Sequence, residues 1–405
     1  MARLWSCGFE LNSTLGGMEV SATSNFSVQS TTVRSGGFAG QTVNLVSGVA
    51  RGFVEQFIAA AGNGPFFTRK YVRFATFPSA ENRIMGLNDT LALAGTDVYI
   101  TADNGGLLRL YDEDGVIGSP SSALSLNVWY AVGFQYDRTP AAGSQVVRAR
   151  LDDTEFAGAA TRNLSVAALC LVCGGNLALE AQTVGSWFWD DFAINDGTGS
   201  IQTSFPDEQE VIHQRPNAVG DNNVWARGGT DSGANWSQVE ENPPNDVTDY
   251  VQSNTAGQID DYNCEATPAA LASDDVINVV QVGVRCAVDV ATGADPDIVL
   301  RIEASALGTI EESPAIDVNS TTWRTNNAGA VLNYLLTLYD KPGAPADAWT
   351  KADLDTMQIG QRESVSDTHF ARVTAVWALV SHKPAPPAGA ELPLTTAMTL
   401  TGAGH

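Results

Sequence analysis

Four segments between residues 106 and 194 constrain this chain more than any other feature: GLLRLYD (106–112), NVWYAVGFQYD (127–137), SQVVRARLD (144–152) and SWFWDDFAI (186–194). In each, apolar and aromatic residues alternate with others, and Gly, Asp, Ser or Pro fills the intervals. Alternation at period two, bounded by turn formers, marks a strand, and several such strands in succession predict an antiparallel β-sandwich. In the second segment Val128, Tyr130, Val132, Phe134 and Tyr136 share one face, while Trp129, Ala131, Gly133 and Gln135 share the other. In the third, Val147, Ala149 and Leu151 oppose Arg148, Arg150 and Asp152, as expected of a strand with one wet face. In the fourth, the same rule puts Trp187 and Trp189 on one face and Phe188, Phe192 and Ile194 on the opposite one.

A second series begins beyond a Gly, Ser, Thr and Pro boundary at 197–206. VINVVQVGVRCAVDV (276–290), DIVLRIEAS (297–305), VLNYLLTLYD (331–340) and FARVTAVWALV (370–380) are β-branched-rich strands, and TKADLDTM (350–357) has the capping-box spacing of a short helix. With 405 residues, 38 Gly, 17 Pro and only 22 Lys plus Arg, the chain is long enough for two cores and poor in helix-supporting charge. The expectation is an all-β protein. Its first β-sandwich domain spans 1–200 and its second 201–383, with a Pro-rich extended C-terminal arm at 384–405.

The strand order, with DEDG (112–115), WYAVGFQYDRT, VRARLDDTEFAG and WFWDDFAIND, resembles the concanavalin A-like lectin/glucanase jelly roll in its laminin-G-like form. GFELNS (8–13) and RKYVRFATFPSAENRIMGL (69–87) are similar to the opening strands such domains carry in tailed-bacteriophage structural proteins. NWSQVEENPPNDVTDYVQS (235–253) and YDKPGAPADAWT (339–350) resemble segments of phage structural proteins as well. The resemblance implies a virion structural protein assembled in the host cytoplasm, a tail-fibre, tail-tip or spike subunit partnered by other virion proteins and copies of itself. It also implies contact with host-surface glycan. A capsid decoration protein and a glycan depolymerase are the alternatives.

The net charge of −24 argues against a nucleic-acid partner, because affinity for phosphate backbones depends on clustered Lys and Arg. No apolar run suits membrane insertion, and the first ten residues lack the pattern of a signal peptide. The only CxxC, Cys170 and Cys173, has no second Cys or His pair to complete a zinc site, so the thiols read as apolar fillers. The four histidines, His213, His369, His382 and His405, stand beside no nucleophile motif, and no ExDxxE run or phosphate loop occurs. The expectation is therefore a protein that is not an enzyme and needs no cofactor, with catalytic residues: none.

Three weaker sites remain. Trp187, Trp189 and Trp129 are candidates for glycan stacking or subunit contact. Asp190, Asp191, Asn195 and Asp196 cluster at the end of the fourth strand, where the laminin-G-like resemblance implies that they could hold calcium at a sandwich rim, against the plainer reading of Asn195-Asp196-Gly197 as a turn. Pro384, Pro386, Pro387 and Leu392 mark the arm, too poor in apolar surface to order itself and expected to dock on a neighbouring subunit.

Overall fold

The computed structural model describes residues 3–14, 19–20, 22–42, 52–59, 64–88, 96–164, 169–176, 186–291, 295–304, 308–325 and 336–385. It is all-β, with four antiparallel sheets arranged as two sandwiches. The first sheet runs Thr154–Arg162, Gln145–Leu151, Trp129–Asp137, Phe66–Phe74, Trp187–Asp196, Ala39–Thr42 and Phe26–Gln29, and Arg3–Cys7 also pairs with Trp187–Asp196. Facing it is a second sheet of Gly115–Ile117, Leu108–Asp112, Thr96–Ala102, Asn82–Asn88, Leu169–Asn176, Gly52–Ala59 and Ala22–Ser24. The third sheet is centred on the long pair Val276–Val288 and Ala371–Lys383, and the fourth on Gln358–Val365 and Asp297–Ala304. Two separate apolar cores result, one drawn from residues 5–194 and one from 212–380.

The alternation read from the sequence explains the first core. Val132, Phe134, Tyr136, Val147 and Ala149 are all fully buried, and Phe134 pairs with Ala149 across the ladder. The hairpin that carries Leu151 into Thr154 turns on Asp152 and Asp153, whose φ angles of 45° and 65° give the doubly left-handed two-residue turn that matches strand twist. Helix is confined to short turns among the described residues. Lys351–Leu354 starts at Thr350, whose side chain and that of Asp353 cap each other's backbone.

Parity fails in one strand. Trp187, Trp189, Phe192 and Ile194 all belong to the first core, so the expectation that Phe192 and Ile194 oppose the tryptophans is corrected. The pairing with Phe66–Phe74 shifts register between Asp190 and Ala193, and Asp191 sits at φ 48°. That bulge adds one residue to the strand and resets which face later side chains take. Beyond the bulge Asp191 meets the second sandwich, accepting from the Val211 N–H, while Asp190 accepts from the Arg34 N–H of the first.

The expected wet face of the first sheet is partly covered as well. Phe205, in the connector between sandwiches, packs on Phe67 with ring centres 5.4 Å apart, and the Arg150 guanidinium lies 4.1 Å from its ring centre. Gly133 permits this close fit, since a Cβ there would come 2.3 Å from the Thr68 carbonyl oxygen and 3.5 Å from Phe205. Leu11, Val211, Ala375, Trp377 and Leu379 form a small apolar seam between the two cores.

Arg3 fastens the seam. Its side chain is 1% exposed and donates to Asn195 Oδ1 (2.7 Å), Ser6 Oγ (3.0 Å), Gln209 Oε1 (3.0 Å), Gln202 Oε1 (2.6 Å) and Ser381 Oγ (3.3 Å). One guanidinium thus binds the first sandwich, the connector and the second sandwich. All these acceptors are neutral, and burial pulls the Arg3 pKa down to about 10 against the opposing pull of Tyr339 and Asp207.

Candidate functional site

The residues singled out from the sequence fall in places that the chain uses for other purposes. Trp187 and Trp189 are 0% exposed. Their indole N–H groups donate to the Thr76 carbonyl and to Thr42 Oγ1, so they are core residues and no sugar reaches them. Trp129 is half-buried on the outward face of the first sheet, opposite Arg73.

Asp190, Asp191 and Asn195 are likewise 0% exposed. Asp191 accepts from Arg34 Nη1 (2.5 Å), Ser35 Oγ (2.7 Å) and Val211 N–H (2.7 Å), and Asp190 accepts from the backbone N–H groups of Arg34 (2.9 Å) and Asp191 (2.9 Å). Asn195 Oδ1 is taken by Arg3, and Asp196 accepts from the N–H and hydroxyl of Thr198 in an ordinary Asx turn. The proposed calcium ligands therefore face protein donors, and no group of three or more His, Cys, Asp or Glu side chains suited to a metal occurs among the described residues. In the arm, Pro384 is half-buried and the neighbouring Ala385 N–H donates to Asp275 Oδ1. Pro386, Pro387 and Leu392 lie outside the described residues.

The bulge aspartates belong to a buried acid cluster. Glu10 accepts from the N–H groups of Gly37 and Phe38, and Glu19 from those of Gly8 and Leu11. Burial pushes Glu10 up to about 8 and Glu19 up to about 7, and it raises Asp190 and Asp191 too. Arg34 is the cation paired with this cluster. Its guanidinium also donates to the Gln209 carbonyl and stacks 3.4 Å from the Tyr71 ring centre. The cluster holds the first sandwich to the second, a structural task.

The outward face of the second sheet has a different character. Along Thr96–Ala102 and Leu108–Asp112 the residues Val98, Ile100, Leu108 and Leu110 are fully buried, which leaves Tyr99, Thr101, Arg109 and Tyr111 pointing away from the core. Tyr99 and Tyr111 are direct cross-strand partners, and their rings stack at 5.1 Å and 2°. The Arg83 guanidinium lies over the Tyr99 ring, 4.1 Å from its centre.

Glu81 ties this row together, accepting from Tyr111 OH (2.8 Å) and Thr101 Oγ1 (2.6 Å). Arg109 bonds Asp103 at 2.8 Å and stands 3.7 Å from Glu81. Burial, then the hydrogen bond to Glu81, pushes the Tyr111 phenol up to about 12, so it stays a neutral donor. Burial would raise Asp103, but the Leu107 N–H and Arg109 outweigh it and hold the carboxyl below its usual range. The arrangement offers fixed phenol, guanidinium and carboxylate groups beside aromatic carbon on an open sheet face, a set suited to hydroxyl-rich ligands. The period-two pattern in VYITA and LRLYD carries the signal for these residues, but their mutual contact depends on strand register.

No family model matches this chain, and no curated protein does. Solved structures similar to part of it include the cellulose-induced protein Cip1 (12% identity, TM-score 0.34, 50% of this chain and 93% of that one). A Trypanosoma rangeli sialidase in complex with 2,3-difluorosialic acid matches at 14% identity and TM-score 0.33, over 48% of this chain and 30% of the sialidase. An alginate lyase from Aplysia kurodai matches at 12% identity and TM-score 0.32, over 48% and 99%. The expectation that the chain is not an enzyme stands against these similar structures, which include a sialidase and an alginate lyase, and at such identities none of their activities is carried to this chain.

Proposed function

We propose that the protein is a glycan-engaging virion component, a tail-fibre, tail-tip or spike subunit, and that the outward face of the second sheet meets host-surface carbohydrate. The virion setting rests on the sequence resemblance alone. The observation that carries glycan engagement is the Arg83–Tyr99–Tyr111 column with Glu81, Thr101 and Arg109 fixed beside it. Its side chains are already tied to one another, so little conformational entropy remains to be lost on binding. The second sandwich, fastened through Arg3, Arg34 and the apolar seam, would serve as the rigid base that links this face to neighbouring subunits.

A glycan array probed with the wild-type protein and with Tyr111→Ala tests the reading. Binding to a restricted set of glycans, lost in Tyr111→Ala, is expected. Equal binding by both proteins would overturn the assignment of the face. Mass analysis of the bound glycans shows in the same experiment whether they are shortened, which would add cleavage to binding. Imaging of particles that carry a tagged copy tests the setting: label at the tail is expected, and label over the head would favour a capsid decoration role.

A further inference from the structure

The connector does more than cross from one sandwich to the other. With the start of strand Val276–Val288 and the turn at Tyr339–Asp340 it walls a cleft of about 430 Å³. This lies within the range of roughly 300–1,000 Å³ usual for small-ligand sites, which favour such junctions. We infer that this junction cleft is a second ligand site, built for a neutral polyhydroxylated molecule of one or two sugar units. The inference stands on the cleft itself and does not rest on the reading of the outward sheet face.

The floor is fixed in advance. Gln202 accepts from Arg3 Nη2 at 2.6 Å through its side-chain oxygen and donates to the Asn278 carbonyl at 3.2 Å through its nitrogen, thereby bridging the two sandwiches. It does so at φ 54°, a left-handed conformation that non-glycine residues rarely adopt and that tends to mark ligand clamps. Tyr339 OH accepts from the Arg3 backbone N–H at 2.5 Å. With the floor held by Arg3, the cleft cannot close without breaking bonds that join the domains.

The walls define the ligand. Asp340 makes no ion pair among the described residues, and Asp207 makes none either but lies close enough to act on the buried Arg3 charge. Asp207 thus serves as counter-charge to Arg3, leaving about one uncompensated negative charge, too little to demand a cationic ligand. Carboxylate and amide acceptors at Asp340 and Asn278 suit adjacent hydroxyls. Ile201, 41% exposed, and the Tyr339 ring supply apolar surface for a sugar's C–H face.

The test is ligand-observed NMR on the full chain with cellobiose, chitobiose, lactose and, as the cationic control, putrescine. Saturation transfer to at least one of the disaccharides is expected. Asp340→Ala at a half-buried position and Ile201→Trp at an exposed one should each weaken that signal at least fivefold, whereas Tyr111→Ala should leave it unchanged. Transfer to putrescine alone, transfer to none of the four, or a disaccharide signal lost in Tyr111→Ala but kept in both cleft variants would each overturn the inference.

Discussion

Replacing Arg34 with Met should be among the most damaging single changes in the first sandwich, mainly through charge, since most of the apolar stem is kept. Asp191, at 0% exposure, would keep Ser35 and Val211 as donors but lose its cation, with Asp190 adjacent and Glu10 nearby. Removing one partner of a buried ion pair costs about 3–5 kcal/mol. The methionine retains apolar contact with Tyr71, so only part of a cation–π energy of up to about 2 kcal/mol is lost in addition. A loss of about 4 kcal/mol at pH 7.5 is therefore expected.

Its pH dependence has a definite sign. Asp191 already titrates above its ordinary value in the folded protein because it is buried, and loss of Arg34 raises it further. A carboxyl raised on folding destabilises only above its unfolded pKa, so the penalty of the variant should shrink as pH falls from 7.5 to 4.5. Urea unfolding followed by tryptophan fluorescence reports on this sandwich through buried Trp5, Trp187 and Trp189. In Arg34→Met/Asp191→Asn the amide has no charge to bury, and most of the stability should return. A loss below about 1 kcal/mol, or an equal loss at both pH values, would refute the reasoning.

Glu10 and Glu19, raised to about 8 and about 7 from an ordinary 4.5, cost nothing below the unfolded value and progressively more as pH climbs through that window. The melting temperature at pH 8.5 should fall roughly 5 °C below that at pH 5.5, and a flat profile would show these acids to be better compensated. Gly133→Ala drives a methyl against the Thr68 carbonyl in a central strand and should cost about 2–3 kcal/mol in denaturant titration. Trp189→Ala should cost about 3–5 kcal/mol while leaving glycan-array binding of the remaining folded protein unchanged, as fits a core residue. Millimolar calcium should leave the melting temperature unmoved, because the oxygens of Asp190 and Asp191 already accept protein N–H and O–H groups.

The sandwich architecture was legible because strand alternation is local. Trp129–Asp137 and Gln145–Leu151 can be read residue by residue, but Asp152, read as the last strand residue, is the first residue of the turn. The bulge at Asp190 and Asp191 was not legible, because an added residue leaves no mark in composition and is fixed by pairing with strands more than a hundred residues away. For the same reason the acidic pair looked like a rim site when it is a buried anchor: Arg34 and Ser35 lie 155 or more residues from their partners in sequence. Tyr99 and Tyr111 occupy outward positions that alternation indicates, but their stacking needs the register as well. The covering of Gly133 and Arg150 by Phe205 is tertiary and has no period to betray it.

The clasp formed by Arg3 has a consequence for how the molecule is made. Arg3 and Ser381 meet at 3.3 Å although 378 positions separate them, and Arg3–Cys7 can complete its ladder only with Trp187–Asp196. On a ribosome, Arg3–Cys7 must wait for partners synthesised much later. The first sandwich can complete its core, Trp5 and Cys7 included, without the second, but the contact of Arg3 with Ser381 closes the joint in a final step that pays a long-loop entropy and should be slow. Refolding should accordingly show a late phase that reports on the joint, after both cores have formed.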